Sequence, residues 1–137
     1  MYNNILVPMA LDHGIGETTV EIARKLLSEG GQITALHVHE KPQNTVTAYV
    51  DDSAIENAYS RAEEILAARV AKMPGVTGKV VSGHSGRTII DVANDMRADC
   101  IVMGSHKPGL IDYFLGSTAS RVTQHAPCAV HVARYPG

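Results

Sequence analysis

The fold-determining stretch of this chain is Cys100–Arg121, which reads CIVMGSHKPGLIDYFLGSTASR. Its first four residues are apolar, as is typical of a short buried strand, and residues 104–109 interrupt regular structure with two glycines and a proline. Gly116 and the two hydroxyl residues after it are typical of a helix start. The first N–H groups of a helix lack intrahelical partners and lie at the positive end of its dipole. The stretch therefore predicts a phosphate-binding loop between a strand and a helix.

Several residues of this stretch are candidate ligand contacts. Gly104 allows close approach of a ribose or phosphate, Ser105 and His106 offer side-chain donors, and Lys107 offers a positive charge. Gly109, next to a proline, supplies a positive φ angle. Each residue also has a simpler interpretation, such as a plain strand-to-loop turn at Gly104 or a solvated charge at Lys107.

The helix start at 116–118 is the strongest phosphate candidate, with contributions from Gly116, Ser117 and Thr118. The alternative interpretation is an ordinary helix N-cap at Ser117, and both roles are compatible. The Walker pattern GxxxxGK[ST] is absent, because no lysine follows the second glycine. Any phosphate site here therefore uses a different loop.

Outside this stretch, apolar strand-like runs alternate with segments of helical periodicity. The predicted strands are 4–8, 32–38, 78–83, 99–104 and 127–134, and the predicted helices are 17 up to Gly30-Gly31, 53–73, 87–97 and one from 116. This alternation predicts an α/β fold with a parallel sheet covered by helices on both faces. Ligands of such sheets bind outside the carboxyl ends of the strands where the chain order reverses. The loops after Pro8 and Met103 are therefore expected to share one crevice.

The segments GSHKPGLIDYFLGSTASRV (104–122) and HAPCAVHVAR (125–134) resemble the universal stress protein family, and the resemblance covers the whole chain. The usual family pattern is Gly, two residues, Gly, nine residues, Gly, then Ser or Thr. Here Lys107 stands where the second glycine is expected, and eight residues separate it from Gly116. This departure resembles the F/G-like branch, in which a basic residue and a proline replace that glycine and nucleotide binding is retained.

The resemblance implies one domain over residues 1–137, with an open five-stranded Rossmann-like sheet of the adenine nucleotide alpha hydrolase type and strand order 3-2-1-4-5. It also implies adenine and ribose contacts from Val38, from Met103 and from the first-strand loop at Pro8, Met9, Ala10 and Asp12. The family commonly has Pro-x-Asp in that loop, and Ala10 stands in place of the aspartate. Either Asp12 reaches the same place through a reshaped loop, or the ribose or base loses one hydrogen bond. That loss, at about 0.5–1.5 kcal/mol, weakens binding about tenfold at most.

The function implied is an ATP-binding regulatory module of the stress response. Its ligand is ATP, ADP or AMP together with Mg²⁺, and hydrolysis is at most slow, because no nucleophile with an adjacent base and no catalytic residue is identifiable. Two alternatives remain: a ligand-free structural or interaction protein of the same fold, and an adenylate-handling enzyme. The enzyme is expected to carry a Ser/Gly-rich pyrophosphate loop after the first strand, and residues 9–16 have no such signature.

The last predicted strand, residues 127–134, indicates that the chain pairs with a partner. As the end strand of an open sheet it leaves a row of unpaired backbone groups. The resemblance implies a homodimer through this strand about a two-fold axis, with Val130, His131 and Val132 at the contact. An additional, unidentified protein partner is also expected.

Composition limits the remaining function classes. A formal net charge of -2 argues against nucleic-acid binding, and no long apolar run or charged leader segment is present, so we expect a cytoplasmic protein without membrane insertion. Cys100 and Cys128 lie in apolar runs and are expected to be buried thiols. His37 and His39 share a strand face, but two imidazoles do not make a metal site, so no metal held by protein side chains is expected.

Overall fold

The computed structural model describes residues 1–11, 16–40, 52–105 and 115–134. Along the chain the elements are β1 Tyr2–Pro8, α1 Gly16–Leu26, β2 Leu27–His39, α2 Asp52–Val70, β3 Val76–Ser82, α3 Ser85–Asp95, β4 Cys100–Gly104, α4 Ser117–His125 and β5 Ala129–Ala133. The five strands form one parallel sheet in the order β3-β2-β1-β4-β5. The predicted fold class and strand order are therefore confirmed.

Helices cover both faces of the sheet, because successive strand residues point to opposite sides. Ile5 and Val7 of β1 are buried in one cluster together with side chains from α1 and α2. Leu6, between them, is buried in a second cluster with side chains from α3 and α4. Helices α1 and α2 thus pack on one face, and α3 and α4 on the other.

Strand β2 begins earlier than the sequence pattern predicts. The helix expected to run to Gly30-Gly31 ends at Leu26, and β2 starts at Leu27. The glycine pair lies in an irregular part of the β1–β2 ladder, where Gly30 has φ +81°. A Cβ on Gly31 would lie 3.0 Å from the carbonyl oxygen of Asn3. The glycines therefore allow a bulge and a close strand approach rather than ending the helix.

Helix α2 was predicted over 53–73 and ends at Val70. Ala62 and Leu66 of this helix are buried, whereas Ile65 between them is 38% exposed. Gly75, at φ +79°, lies in the turn that leads into β3. No helix of the described ranges combines the length and apolar character needed to cross a membrane.

The amino ends of β1 and β4 are joined by one carboxylate. Asp99 accepts hydrogen bonds from the backbone N–H of Asn3 (2.8 Å) and of Asn4 (3.0 Å), and its own N–H donates to the carbonyl of Asn4 at 2.9 Å. Charge-assisted bonds of this kind are stronger than neutral ones. They hold the two central strands together at the end opposite the predicted crevice.

Cys100 is a buried thiol, as predicted, whereas Cys128 is half-buried, and neither forms a disulfide. Burial raises the pKa of Cys100 to about 11, with further contributions from Cys128 and Asp99. Burial also raises the pKa of Cys128, and the negative charge of Asp99 raises it further.

Strand β5 forms one edge of the described sheet and pairs with β4. His131 is exposed at the middle of β5, and Val130 and Val132 on either side of it are half-buried. The three residues predicted at the dimer contact thus lie on the edge strand.

Candidate functional site

The central strands separate at their carboxyl ends. The ladder between β1 and β4 ends at Leu6 and Ile101. Beyond that point β1 remains paired with β2 as far as Pro8, and β4 remains paired with β5 as far as Gly104. The sheet therefore opens between its two central strands, at the position where the strand order reverses and where open α/β sheets bind ligands.

The end of β4 is joined to the start of α4. Ser105 follows β4 and is fully buried, and its N–H donates to the carbonyl of Ala133 at 2.9 Å. Its carbonyl accepts a hydrogen bond from the N–H of Gly116 at 2.7 Å. The first turn of α4 is thereby held next to the opening between β1 and β4.

Helix α4 begins with an N-cap residue that makes no side-chain cap bond. Gly116 is the N-cap residue, so the alternative that assigned this position to Ser117 is wrong. Gly116 has φ −62° and ψ 160°, which any residue adopts, so glycine is not required by the backbone conformation. Ser, Thr, Asp and Asn are the usual choices here because their side chains bond the first-turn N–H groups. Glycine has no side chain that could make such a bond.

The loop after β1 is held by neighbouring side chains and by β2. The N–H of Met9 donates to Leu36 O at 2.8 Å, and the ring Nδ1 of His37 lies 3.2 Å from the carbonyl oxygen of Met9. Arg69, from α2, donates to the carbonyls of Ala10 (3.3 Å) and Leu11 (2.7 Å). Three consecutive carbonyls of this loop thus have side-chain partners.

The two histidines of β2 make separate packing contacts. His37 contacts the loop after β1, and the ring of His39 packs edge-on against Tyr59 with 5.6 Å between ring centroids. Within residues 1–11, 16–40, 52–105 and 115–134, no three His, Cys, Asp or Glu side chains cluster as metal ligands.

A second helix start borders the carboxyl end of β2. His84 is the N-cap of α3 and makes no side-chain cap bond, and Ser85 is the first helical residue. The carboxylate of Glu40 accepts hydrogen bonds from the N–H of Ser85 (3.1 Å) and from its hydroxyl (2.8 Å). Glu40 therefore caps the first turn of α3.

Among the predicted contacts that the structure describes, those at the ends of β1 and β4 and at the start of α4 flank the opening, whereas Val38 does not. Met103 is buried, Gly104 is half-buried and Ala10 is exposed. Val38 lies near the end of β2, on the far side of β1 from β4, and its side chain packs with the core under α3 and α4. The remaining candidates lie outside the described residues, namely Asp12, His106, Lys107 and Gly109.

Sequence reasoning missed Arg69, the role of His37 and the role of Glu40. Arg69 is 58 residues from Leu11 in the chain, and Glu40 is 45 residues from Ser85. No local pattern signals such contacts, because they depend on where α2 and α3 pack against the sheet.

Comparison with known proteins gives a consistent result. Residues 1–134 match the model of the universal stress protein family. The chain is 31% identical to universal stress protein A homolog 2 of Coxiella burnetii, over 99% of this chain and 97% of that protein. It is 28% identical to universal stress protein G of Escherichia coli O157:H7, over 98% of this chain and 100% of that protein.

Solved structures share the fold. Universal stress protein UspA from Lactobacillus plantarum superposes with a TM-score of 0.76 at 26% identity, covering 97% of this chain and 98% of its own. More distant structures include a universal stress protein in complex with cAMP (TM-score 0.65, 13% identity, 98% and 99% coverage). Another is the Archaeoglobus fulgidus protein in complex with dAMP (TM-score 0.61, 19% identity, 96% and 97% coverage). On the family match and the relatives of similar length, this chain belongs to the universal stress protein family.

Proposed function

We propose that this protein binds an adenine nucleotide in the opening between the carboxyl ends of β1 and β4, and that it acts as a nucleotide-dependent regulatory module of the stress response. The observation that carries the proposal is the separation of β1 from β4 beyond Leu6 and Ile101, beside the N-terminus of α4. ATP is the proposed ligand, with ADP and AMP as the related forms of the same class.

The phosphates are assigned to the α4 side of the opening. The glycine N-cap makes no side-chain bond to the first-turn N–H groups of α4, which are proposed to bind the phosphates, and the helix dipole adds a favourable field. Gly104 and Ser105 border the same place, because the Ser105 carbonyl binds the N–H of Gly116. From the sequence, His106 and Lys107 are proposed to add a donor and a positive charge, and Gly109 to shape the loop that carries them.

The adenosine end is assigned to the β1 side. The loop at Pro8–Ala10 and the end of β2 at Val38 are proposed to meet base and ribose through backbone groups, with Asp12 and Met103 nearby. The complexes of two family members with cAMP and dAMP support an adenine ligand for this fold. Ala10 removes the carboxylate that the family commonly has, which lowers the expected affinity without abolishing it.

Mg²⁺ is expected to arrive with the nucleotide. It is usually held by substrate phosphates, one or two carboxylates and water. The described residues include no clustered set of metal ligands, so we propose that Mg²⁺ binds as part of a nucleotide complex. We propose that the chain's own residues bind and orient the nucleotide and that turnover is at most slow.

Calorimetric titration of the wild-type protein with ATP, ADP and AMP, with and without Mg²⁺, tests this proposal. Mass spectrometry of the small molecules released when the purified protein is denatured provides an independent check. Saturable binding of an adenine nucleotide, with guanosine triphosphate as the non-binding control, is the expected result. A wild-type protein that binds none of the three would reject the nucleotide site and favour a ligand-free interaction protein of the same fold.

A further inference from the structure

We propose that Arg69 is a positioning residue for the adenosine end of the nucleotide site. The inference rests on the proposed function and assigns a role to a side chain on α2, remote in sequence from every predicted contact. The guanidinium donates to the carbonyls of Ala10 (3.3 Å) and Leu11 (2.7 Å), the two residues that follow Met9 in the loop after β1. Arg69 is half-buried at this contact.

The two bonds fix the orientation of the loop backbone. A trans peptide is planar, so its N–H points opposite to its C=O. When Arg69 holds the carbonyls of Ala10 and Leu11, and His37 lies against the carbonyl of Met9, the N–H groups of Ala10 and Leu11 point away from α2 and from His37. These are the backbone groups of the loop that is proposed to meet the base and ribose.

Packing reinforces the same orientation. Met9 is 6% exposed and belongs to the core under α1 and α2, and Leu11 packs against that core. The side chains of Met9 and Leu11 and the carbonyls that bind Arg69 therefore lie on the side of the loop that faces α2. An arginine suits this position because its fork of donors reaches two carbonyls at once, whereas a lysine offers a point charge.

Arg69 lies away from the phosphate side. Its helix packs on the face of the sheet opposite α3 and α4, whereas the proposed phosphate contacts are at the start of α4. A positioning role at the adenosine end therefore predicts the same loss of affinity for AMP and for ATP. A direct charge contact with phosphates predicts a loss that grows with the number of phosphates.

The test compares Arg69→Ala, Arg69→Lys and Arg61→Ala by calorimetry with AMP, ADP and ATP, after thermal unfolding has verified that each variant folds. Arg61 is exposed on the same helix, so its removal takes away the same charge without the loop contact. We expect Arg69→Ala to weaken all three ligands by about tenfold, and Arg69→Lys to restore part of that loss. Arg61→Ala is expected to leave affinity unchanged.

Nuclear magnetic resonance of the nucleotide-free protein supplies a second readout. Arg69→Ala is expected to shift the amide signals of Ala10 and Leu11 and to leave those of Ser117 and Thr118 in place. Unchanged nucleotide affinity in a folded Arg69→Ala protein would overturn the positioning role, as would a loss that grows from AMP to ATP. Absence of binding by the wild type would instead reject the proposed function itself.

Discussion

Ser105 and Gly116 are joined by a backbone hydrogen bond of 2.7 Å, although eleven positions separate them in the chain. Ser105 is in turn bonded to Ala133 of the edge strand, so the first turn of α4 is tied to the sheet rather than to local structure. An anion site benefits from N–H groups that are already fixed in position, because these donors need no reorganisation when the anion binds. Because this bond fixes Gly116 at the start of α4, a substitution at Gly116 tests whether phosphate binds there.

We predict that Gly116→Val abolishes ATP binding in a protein that still folds. The backbone at φ −62° and ψ 160° accepts a β-branched residue, so the substitution causes no backbone strain at this position. Its side chain would fill the volume in front of the first-turn N–H groups of α4, where phosphate oxygens are proposed to lie. Calorimetric titration with ATP measures the loss, and thermal unfolding verifies the fold.

Gly116→Ala is the matched control for this prediction. Alanine and valine are both poor N-cap residues, so both variants lose similar helix stability, about 1 kcal/mol. Alanine adds one carbon only, and we expect it to weaken binding less than valine does. Equal ATP affinity in wild type and a folded Gly116→Val protein would reject the phosphate assignment at α4.

Lys107→Ala is predicted to weaken ATP binding by about tenfold, because a charge-assisted contact contributes roughly 1.5–3 kcal/mol and a loop lysine is expected at the low end. This prediction comes from the sequence, since Lys107 lies outside the described residues. The loss is expected to be smaller for AMP, because the charge is assigned to the outer phosphates. Lys79→Ala, which removes an exposed lysine on β3, is the control, and equal losses for AMP and ATP would contradict the assignment.

The main elements and the parallel topology could be predicted because their signals are local or general. Apolar runs such as 100–103 mark buried strands, and parallel α/β topology follows from the alternation of strands and helices. The strand order itself came from the family resemblance. The error at Gly30-Gly31 arose because glycine ends helices and also allows bulges, and the choice depends on the distance to Asn3 across the sheet.

In the candidate site, too, some features could be predicted from the sequence and others could not. Gly116 was identifiable because a glycine before two hydroxyls is a local helix-start pattern. The separation of β1 from β4 depends on how each strand pairs with its outer neighbour, and no run of residues encodes it. Arg69 reaches Leu11 only because α2 packs beside the loop, so its partner was not readable from the helix that carries it.

We predict a homodimer in which the β5 edges of two copies pair. His131 is exposed between the half-buried Val130 and Val132, and β5 lies at the edge of the described sheet. A lysine on an edge strand opposes pairing with another strand. His131→Lys is therefore expected to shift the protein toward monomer in light scattering coupled to size exclusion. His125→Lys, on α4, is the control. A monomeric wild type at neutral pH would contradict the dimer.

The thiol of Cys100 is predicted to be unreactive in the folded protein. It is 1% exposed, and burial raises its pKa to about 11, so at pH 8 about one thiol in a thousand is the reactive thiolate. Iodoacetamide at pH 8 is expected to label Cys128 first, because Cys128 is half-buried, and to label both cysteines equally in guanidinium. Mass spectrometry of the labelled peptides measures the order, and faster labelling of Cys100 would contradict the prediction.

The same pKa sets the sign of a pH effect on stability. The folded state holds the Cys100 proton more tightly than the unfolded chain, whose thiol ionises near the ordinary value of 9.0. The free energy of unfolding therefore falls as pH rises from about 9 toward about 11, and this thiol contributes no pH dependence below that range. Denaturant unfolding at pH 8 and pH 10 should show a larger alkaline loss for wild type than for Cys100→Ala, which lacks the group. Equal losses in the two proteins would mean that the folded state does not retain this proton more tightly than the unfolded chain.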